Sequence, residues 1–162
     1  LRFFFQYFRL HGVDGGLLHS RAMTLAVAEH PADAIAAARL GVAQGSALVH
    51  LHRLRLVEDQ PVMSDLFRIP SAHVPGLTRE AALLPELLYR HLIDAYGIRV
   101  TAVREELRAE VATAEDRALL RLPDPSAVLV IEAVVFDQAG APLLLATQRA
   151  STVGHRYVNE IR

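Results

Sequence analysis

The 162-residue sequence contains no cysteine, which excludes disulfides, thiol nucleophiles and cysteine-zinc sites and is compatible with a cytoplasmic protein. It has no lysine either: all 17 basic residues are arginine, spread along the chain, and the formal net charge is -1. A chain so balanced has no electrostatic footprint for DNA, RNA or an anionic membrane. No apolar run reaches the roughly 20 residues that span a bilayer; the longest candidate, Ala127 to Phe136, is interrupted by Glu132. Nothing resembles a signal peptide. The sequence starts at Leu1 without an initiator methionine and runs straight into Phe3-Phe4-Phe5, as expected of a domain excised from a longer chain.

What is present is a globular composition, 52 % hydrophobic and 22 % charged, enough for one domain with a real core over residues 1–162. Residues 3–10 read as an aromatic-rich strand, followed by a flexible Gly12–Gly16 stretch. A short helix fits Ala32–Leu40, closed by Gly41. Ala47–Val57 and Pro61–Ile69 form a hairpin around Glu58-Asp59-Gln60. A second helix runs from Pro85 to Tyr96, with Leu84, Leu88, Leu92 and Ala95 as its apolar stripe and Gly97 as its stop. Arg99–Val111 is a strand, and Thr113 with Asp116 resembles a capping box for a helix through Leu120. A final hairpin pairs Ala127–Phe136 with Pro142–Thr152, and a last strand falls near Tyr157–Ile161. Strands dominate and their connections are tight, so the expected class is α+β with a mostly antiparallel sheet.

The chain repeats itself. Leu40 to Arg55 and Leu120 to Val135 match at an offset of 80, including Ser46-Ala47 against Ser126-Ala127; beyond a one-residue gap Pro61 meets Pro142 and Arg68 meets Arg149. The copies differ in charge: Arg53, Arg55 and Asp65 stand where the second copy has Ala133, Val135 and Ala146. Strand parity sharpens this. Arg53 and Arg55 share a face with Val49, Leu51 and Val57, and Asp65 shares one with Met63, Phe67 and Ile69. On the strand after the second helix, Glu105 is the one polar residue on the face of Val103, Leu107, Ala109 and Val111, while Arg104, Glu106, Arg108 and Glu110 form a solvated face. Inward charges must be paired or must serve a ligand. With the hairpin centred near Asp59, Arg53 lies opposite Asp65 and a simple ion pair is one reading. A pocket for a small anion, held by arginine forks, is the other.

Other signals are weaker. His50-x-His52 offers two ligands without a nearby third and reads as packing or interface, so no metal is expected. Gly12-x-x-Gly15-Gly16 lacks the Lys-Ser/Thr of a phosphate loop. No serine occupies a nucleophile elbow, and neither a nucleophile nor a metal accompanies Asp65 and Glu105 for acid–base work.

These residues carry a resemblance to the UTRA domain, the effector-binding module of HutC-type, GntR-family transcription regulators. Phe5-Gln6-Tyr7-Phe8-Arg9-Leu10, Leu40-Gly41 with Gly45, Leu51-His52-Arg53-Leu54-Arg55, Gln60-Pro61 through Arg68-Ile69-Pro70, Leu87-Leu88-Tyr89, Tyr96-Gly97-Ile98, Arg104-Glu105-Glu106-Leu107 and Gly154-His155-Arg156-Tyr157 resemble the family's motifs in order and spacing. The resemblance implies a chorismate-lyase-like fold, a central antiparallel sheet with helices packed on it and a ligand cavity. It implies no cofactor and no enzymatic activity, a homodimer, and DNA binding only through a winged helix-turn-helix that would precede this chain and is absent from it. Carried over, the effector pocket comprises Arg53, Arg55, Asp65, Tyr89 and Tyr157, with Ser151 nearby; Glu105 joins them through its motif and its parity. The departures are Leu87 for a pocket serine, His155 for the closing aspartate and Asp65 for a glutamate. They point away from the commonest phosphosugars toward a smaller carboxylate or an amino-acid-pathway intermediate. The expected function is the sensing of a small anionic metabolite, carboxylate or phosphorylated. The alternatives are a lyase on the same fold and a module for dimerisation alone.

Overall fold

The computed structural model describes residues 9–16, 18–79 and 84–159. Its elements run β1 (Leu10–Gly12), β2 (Arg21–Pro31), α1 (Ala34–Leu40), β3 (Ala47–Val57), β4 (Gln60–Pro70), two single-turn 3-10 helices, α2 (Leu88–Tyr96), β5 (Val100–Val111), α3 (Ala114–Leu120), β6 (Ala127–Asp137), β7 (Pro142–Ala150) and β8 (His155–Tyr157). Six strands form one antiparallel sheet in the order β2-β3-β4-β7-β6-β5, and β1 pairs with β8 in a separate two-stranded ribbon. The α+β class and the antiparallel sheet expected from the hairpins are what the chain adopts.

The repeat is structural. The unit β2-α1-β3-β4 recurs as β5-α3-β6-β7, and the two meet at the β4–β7 pair in the middle of the sheet. Equivalent hydrogen bonds recur at the same offset: Ala32 N to Ser46 O at 2.8 Å and Ala112 N to Ser126 O at 2.9 Å. Each short helix starts on a side-chain cap, Asp33 for α1 and Thr113 for α3. The Thr113–Asp116 capping box is complete, with each side chain bonded to the other's backbone N–H, so two of the orphan donors of the first turn are satisfied.

One strand escaped the sequence reading. β2 is Arg-Ala-Met-Thr-Leu-Ala-Val-Ala-Glu-His-Pro, mostly exposed, and its alanines give it neither β-branched density nor a clean alternation. It is held by pairing with β3 along its whole length, with a bulge between Thr24 and Ala26. The aromatic strand expected over residues 3–10 lies largely outside the described residues, and β1 begins only at Leu10. The last strand is β8, shorter and earlier than Tyr157–Ile161, of which residues 160 and 161 are outside the described residues.

The sheet is covered differently on its two faces. Alternate residues Leu48, Val134 and Leu145 pack under α1, and Leu54, Val128 and Val130 under α3. The intervening residues Val49, Leu51, Phe67, Ile69, Val135 and Leu144 pack under α2 through Leu88 and Leu92. On that second face the β1–β8 ribbon closes a further cluster, with Leu10 and Tyr157 over Val57, Val62, Met63 and Ile131. α2 and the ribbon thus share one face. Beyond them β5 is an edge strand, and Leu107 and Val111 are 46 % and 75 % exposed; the apolar face expected along all of β5 is covered only near Val103 and Glu105.

Candidate functional site

Between α2, the ribbon and the sheet lies a cavity of about 100 Å³. Its wall includes Arg55, Tyr89, Glu105 and Tyr157 from the expected set, with Arg9, Gln148, Met63, Phe67, Val103 and Ile131 around them. The inward charges therefore do not simply close on one another; space remains between them.

Two ion pairs flank that space. Arg55 Nε donates to Asp65 Oδ2 at 2.7 Å, and the Asp65 side chain is 1 % exposed. Gln148 Nε2 donates to the other carboxylate oxygen, Oδ1, at 3.0 Å, and Arg55 reaches Ser20 Oγ at 3.4 Å. Burial by itself would lower the Arg55 pKa, but the charge and hydrogen bond of Asp65 outweigh it and raise it. This guanidinium stays charged. In the second pair Arg9 Nη1 donates to Glu105 Oε2 and to the Tyr157 hydroxyl, both at 2.7 Å. The Tyr157 hydroxyl also donates to Glu105 Oε2. Burial first, and then the bond to Glu105, push the Tyr157 pKa up. Burial likewise pushes that of Tyr89 up, so both phenols remain protonated donors at neutral pH.

Arg53 stands elsewhere. It is directly across the ladder from Asp65, yet Asp65 pairs with Arg55, one diagonal step away. Arg53 is 1 % exposed and donates to the carbonyls of Pro85 at 2.8 Å and Glu86 at 3.3 Å. Burial, then the charge of Arg55, lower its pKa. α2 begins at Leu87 without a side-chain cap, and Arg53 fastens the two carbonyls just before it. The direct Arg53–Asp65 ion pair is thus replaced by a clamp on the entrance to α2. Ser151 is also away from the cavity wall: its backbone N–H donates to Val62 O at 2.9 Å and its Oγ accepts from Val153 N at 3.4 Å. His52 hydrogen-bonds Ser64 Oγ at 2.8 Å, and the His50 ring lies 4.6 Å from that of His30. Among the described residues no group of three or more His, Cys, Asp or Glu could hold a metal.

Among the cavity residues that sequence reasoning missed are two partners of the inner ion pairs, Gln148 and Arg9. Gln148 carries a signal after the fact: it is the polar end of the β7 face of Leu144 and Ala146, directly across from Asp65. Arg9 carries none, because its partners lie 96 and 148 residues away.

The antiparallel sheet with helices packed on it recurs in solved structures. The fold matches that of the ligand-binding domain of a protein described as a GntR-family transcriptional regulator from Bordetella bronchiseptica, at a TM-score of 0.89 and 22 % identity over 98 % of this chain and 99 % of that one. It also matches the effector domain of PhnF from Mycobacterium smegmatis, at a TM-score of 0.77 and 23 % identity over 83 % and 82 %. The model of the UTRA domain family matches residues 18–152, and the chain belongs to that family. A curated relative, the HTH-type transcriptional regulator GmuR of Bacillus subtilis (strain 168), is 24 % identical over 106 residues, which are 65 % of this chain and 44 % of GmuR. The chain thus spans less than half the length of that relative. These relatives are described as transcription regulators. No helix among the described residues is long and apolar enough to cross a membrane.

Proposed function

We propose that this chain is the effector-binding part of a HutC-type, GntR-family regulator, forming a single sensing domain over residues 1–162. It binds a small anionic metabolite, a carboxylate or phosphorylated compound, in the cavity beneath α2. Binding alters the DNA affinity of a separate N-terminal winged helix-turn-helix domain, within a cytoplasmic homodimer. The observation that carries this reading is Arg55: a charged, forked donor set into the wall of a cavity by a carboxylate that is itself buried. Arg forks suit planar carboxylates and phosphates. Arg9 supplies a route for the signal. It belongs to the cavity wall and immediately precedes β1, so a ligand that rearranges the Arg9–Glu105–Tyr157 triad acts on the ribbon as well. A sensor of this kind needs only a differential affinity for two arrangements of such an element.

The test is a thermal-shift screen of carboxylates, amino-acid catabolites and sugar phosphates. A ligand at a hundred times its dissociation constant adds about 2.7 kcal/mol to the folded state, roughly 5–10 °C in Tm for a domain of this size. A hit is expected, and Arg55→Ala abolishes it in protein that still melts cooperatively. A panel without a single hit, or a hit indifferent to Arg55, overturns the reading.

A further inference from the structure

On the footing that the cavity is the effector site, its size and charge balance narrow the ligand further and replace a net anion with a carboxylate whose charge the ligand itself balances. A cavity of about 150 Å³ holds a benzene ring, so a volume of about 100 Å³ favours a small ligand. A sugar phosphate exceeds that volume. Charge is equally restrictive. Among the described residues the inner part of the wall carries Arg9 against Glu105 and Arg55 with Asp65 held on it, while the more exposed Arg90 pairs with Asp94: two inner positive groups face two negative ones. Each inner guanidinium lies 2.7 Å from a carboxylate. A ligand with a net negative charge would leave one charge uncompensated in a partly desolvated space, which is costly. A ligand with no net charge would not.

The two carboxylates are used unequally. Both oxygens of Asp65 accept, one from Arg55 and one from Gln148. On Glu105 the bonds from Arg9 and Tyr157 both fall on Oε2, and Oε1 accepts none among the described residues. A carboxylate with a vacant oxygen on a cavity wall is an acceptor for a cation. Gln148 spends its amide nitrogen on Asp65, which leaves its carbonyl oxygen as a second acceptor. Met63, Phe67, Val103, Ile131, Ala133 and Ala146 form an apolar stretch of the wall. Such a stretch suits a short hydrocarbon side chain.

We infer that the cavity takes a small zwitterion of the amino-acid type with an apolar side chain. Its carboxylate is received by Arg55, its ammonium by Glu105 Oε1 and the Gln148 carbonyl, and its side chain by the Met63–Phe67–Ile131 wall.

Isothermal titration of the 162-residue chain tests this with the neutral apolar amino acids from glycine to methionine, and with isocaproate, isoamylamine, erythritol and inorganic phosphate as probes lacking one feature each. At least one amino acid is expected to bind ten times more tightly than any of the four. Glu105→Gln, nearly isosteric, is expected to weaken that amino acid at least tenfold while changing isocaproate less than threefold; circular dichroism confirms that the variant is folded. Arg55→Gln is expected to weaken both acids and to spare isoamylamine. Binding of phosphate, isocaproate or erythritol as tight as that of the best amino acid overturns the zwitterion and leaves the effector reading standing. An amino acid indifferent to Glu105→Gln also overturns it. If no amino acid binds while a larger anion does, only this inference falls; if nothing binds, both fall.

Discussion

The two halves of the sheet share a backbone plan and distribute their charges differently over its two faces. In β2-α1-β3-β4 the charges Arg53, Arg55 and Asp65 lie on the face covered by α2 and the ribbon, where the second half has Ala133, Val135 and Ala146. In β5-α3-β6-β7 a second set of charges lies on the other face, under α3. There Arg149 grips Asp116 through Nε and Nη2 at 2.7 and 2.9 Å and reaches Glu110 at 2.8 Å. The first-half counterparts of Glu110 and Asp116 are His30 and Ala36, and Arg68, the counterpart of Arg149, keeps a buried Nε without a hydrogen-bond partner among the described residues. Where the halves agree, the residues build the fold. Where they disagree, Arg149 of the second half grips α3, while in the first half Arg53 clamps the entrance to α2 and Arg55, facing Glu105 of β5, lines a cavity.

The largest effect should come from the second-half network. Asp116 is 3 % exposed, and Asp116→Ala strips the half-buried Arg149 guanidinium of its bidentate partner and α3 of its capping box. That should cost about 3 kcal/mol, read as a fall in the urea midpoint, whereas Arg68→Met, at the first-half counterpart of Arg149, should stay within about 0.5 kcal/mol. An equal loss at both positions would erase the contrast. The network also has a pH signature. Burial opposes the Asp116 charge, but its bonds to Arg149 and Thr113 win and hold its pKa below the ordinary 3.8. A folded pKa below the unfolded one contributes stability that is present above pH 3.8 and is lost as pH falls through the folded value. Asp116→Asn should lack that part of the acid limb in a pH series of melts.

The next effect separates the two arginines of β3. Arg53→Met removes two bonds from a charged donor to the carbonyls that lead into α2 and should cost about 2 kcal/mol. It should lower ligand affinity only modestly, by loosening Tyr89. Arg55→Gln should do the reverse, losing binding at smaller cost in Tm. Paired melting and titration curves check this, and an Arg53 variant with the larger loss of binding would move the site.

The smallest effect concerns the helix ends. α1 ends on Gly41 at φ 67° and α3 on Arg121 at φ 54°, both left-handed. Only glycine adopts this region without strain. Arg121→Gly, which restores the first half's solution, should therefore stabilise the chain by about 1 kcal/mol, some 2–4 °C in Tm. No gain would mean that Arg121 is held there by contacts worth as much as the strain.

Much of this was legible beforehand, for reasons that differ by element. β3, β4, β6 and β7 announce themselves because their apolar residues are dense and their turns carry Gly, Pro and Asp. β2 does not, although the offset of 80 that links Leu40 to Leu120 also carries β5 back onto residues 20–31; the repeat held the information that propensity lacked. Parity singled out Arg55, Asp65 and Glu105 because a charge on an apolar face is visible within one strand. It did not distinguish Arg53 from Arg55, since both share that face. The bulge after Arg55 and the arrival of the Pro85 and Glu86 carbonyls decide between them.

By itself, then, the order of residues determined the periodic elements, the duplicated plan and the strands on which inward charge would sit, because these depend on neighbours a few positions apart. Only the tertiary structure decided which charges meet. Arg9 joins Glu105 and Tyr157, and Gln148 joins Asp65, across separations of 83 to 148 residues. Contacts at that range are set by how the ribbon and α2 settle on the sheet, and the space left between them is the cavity.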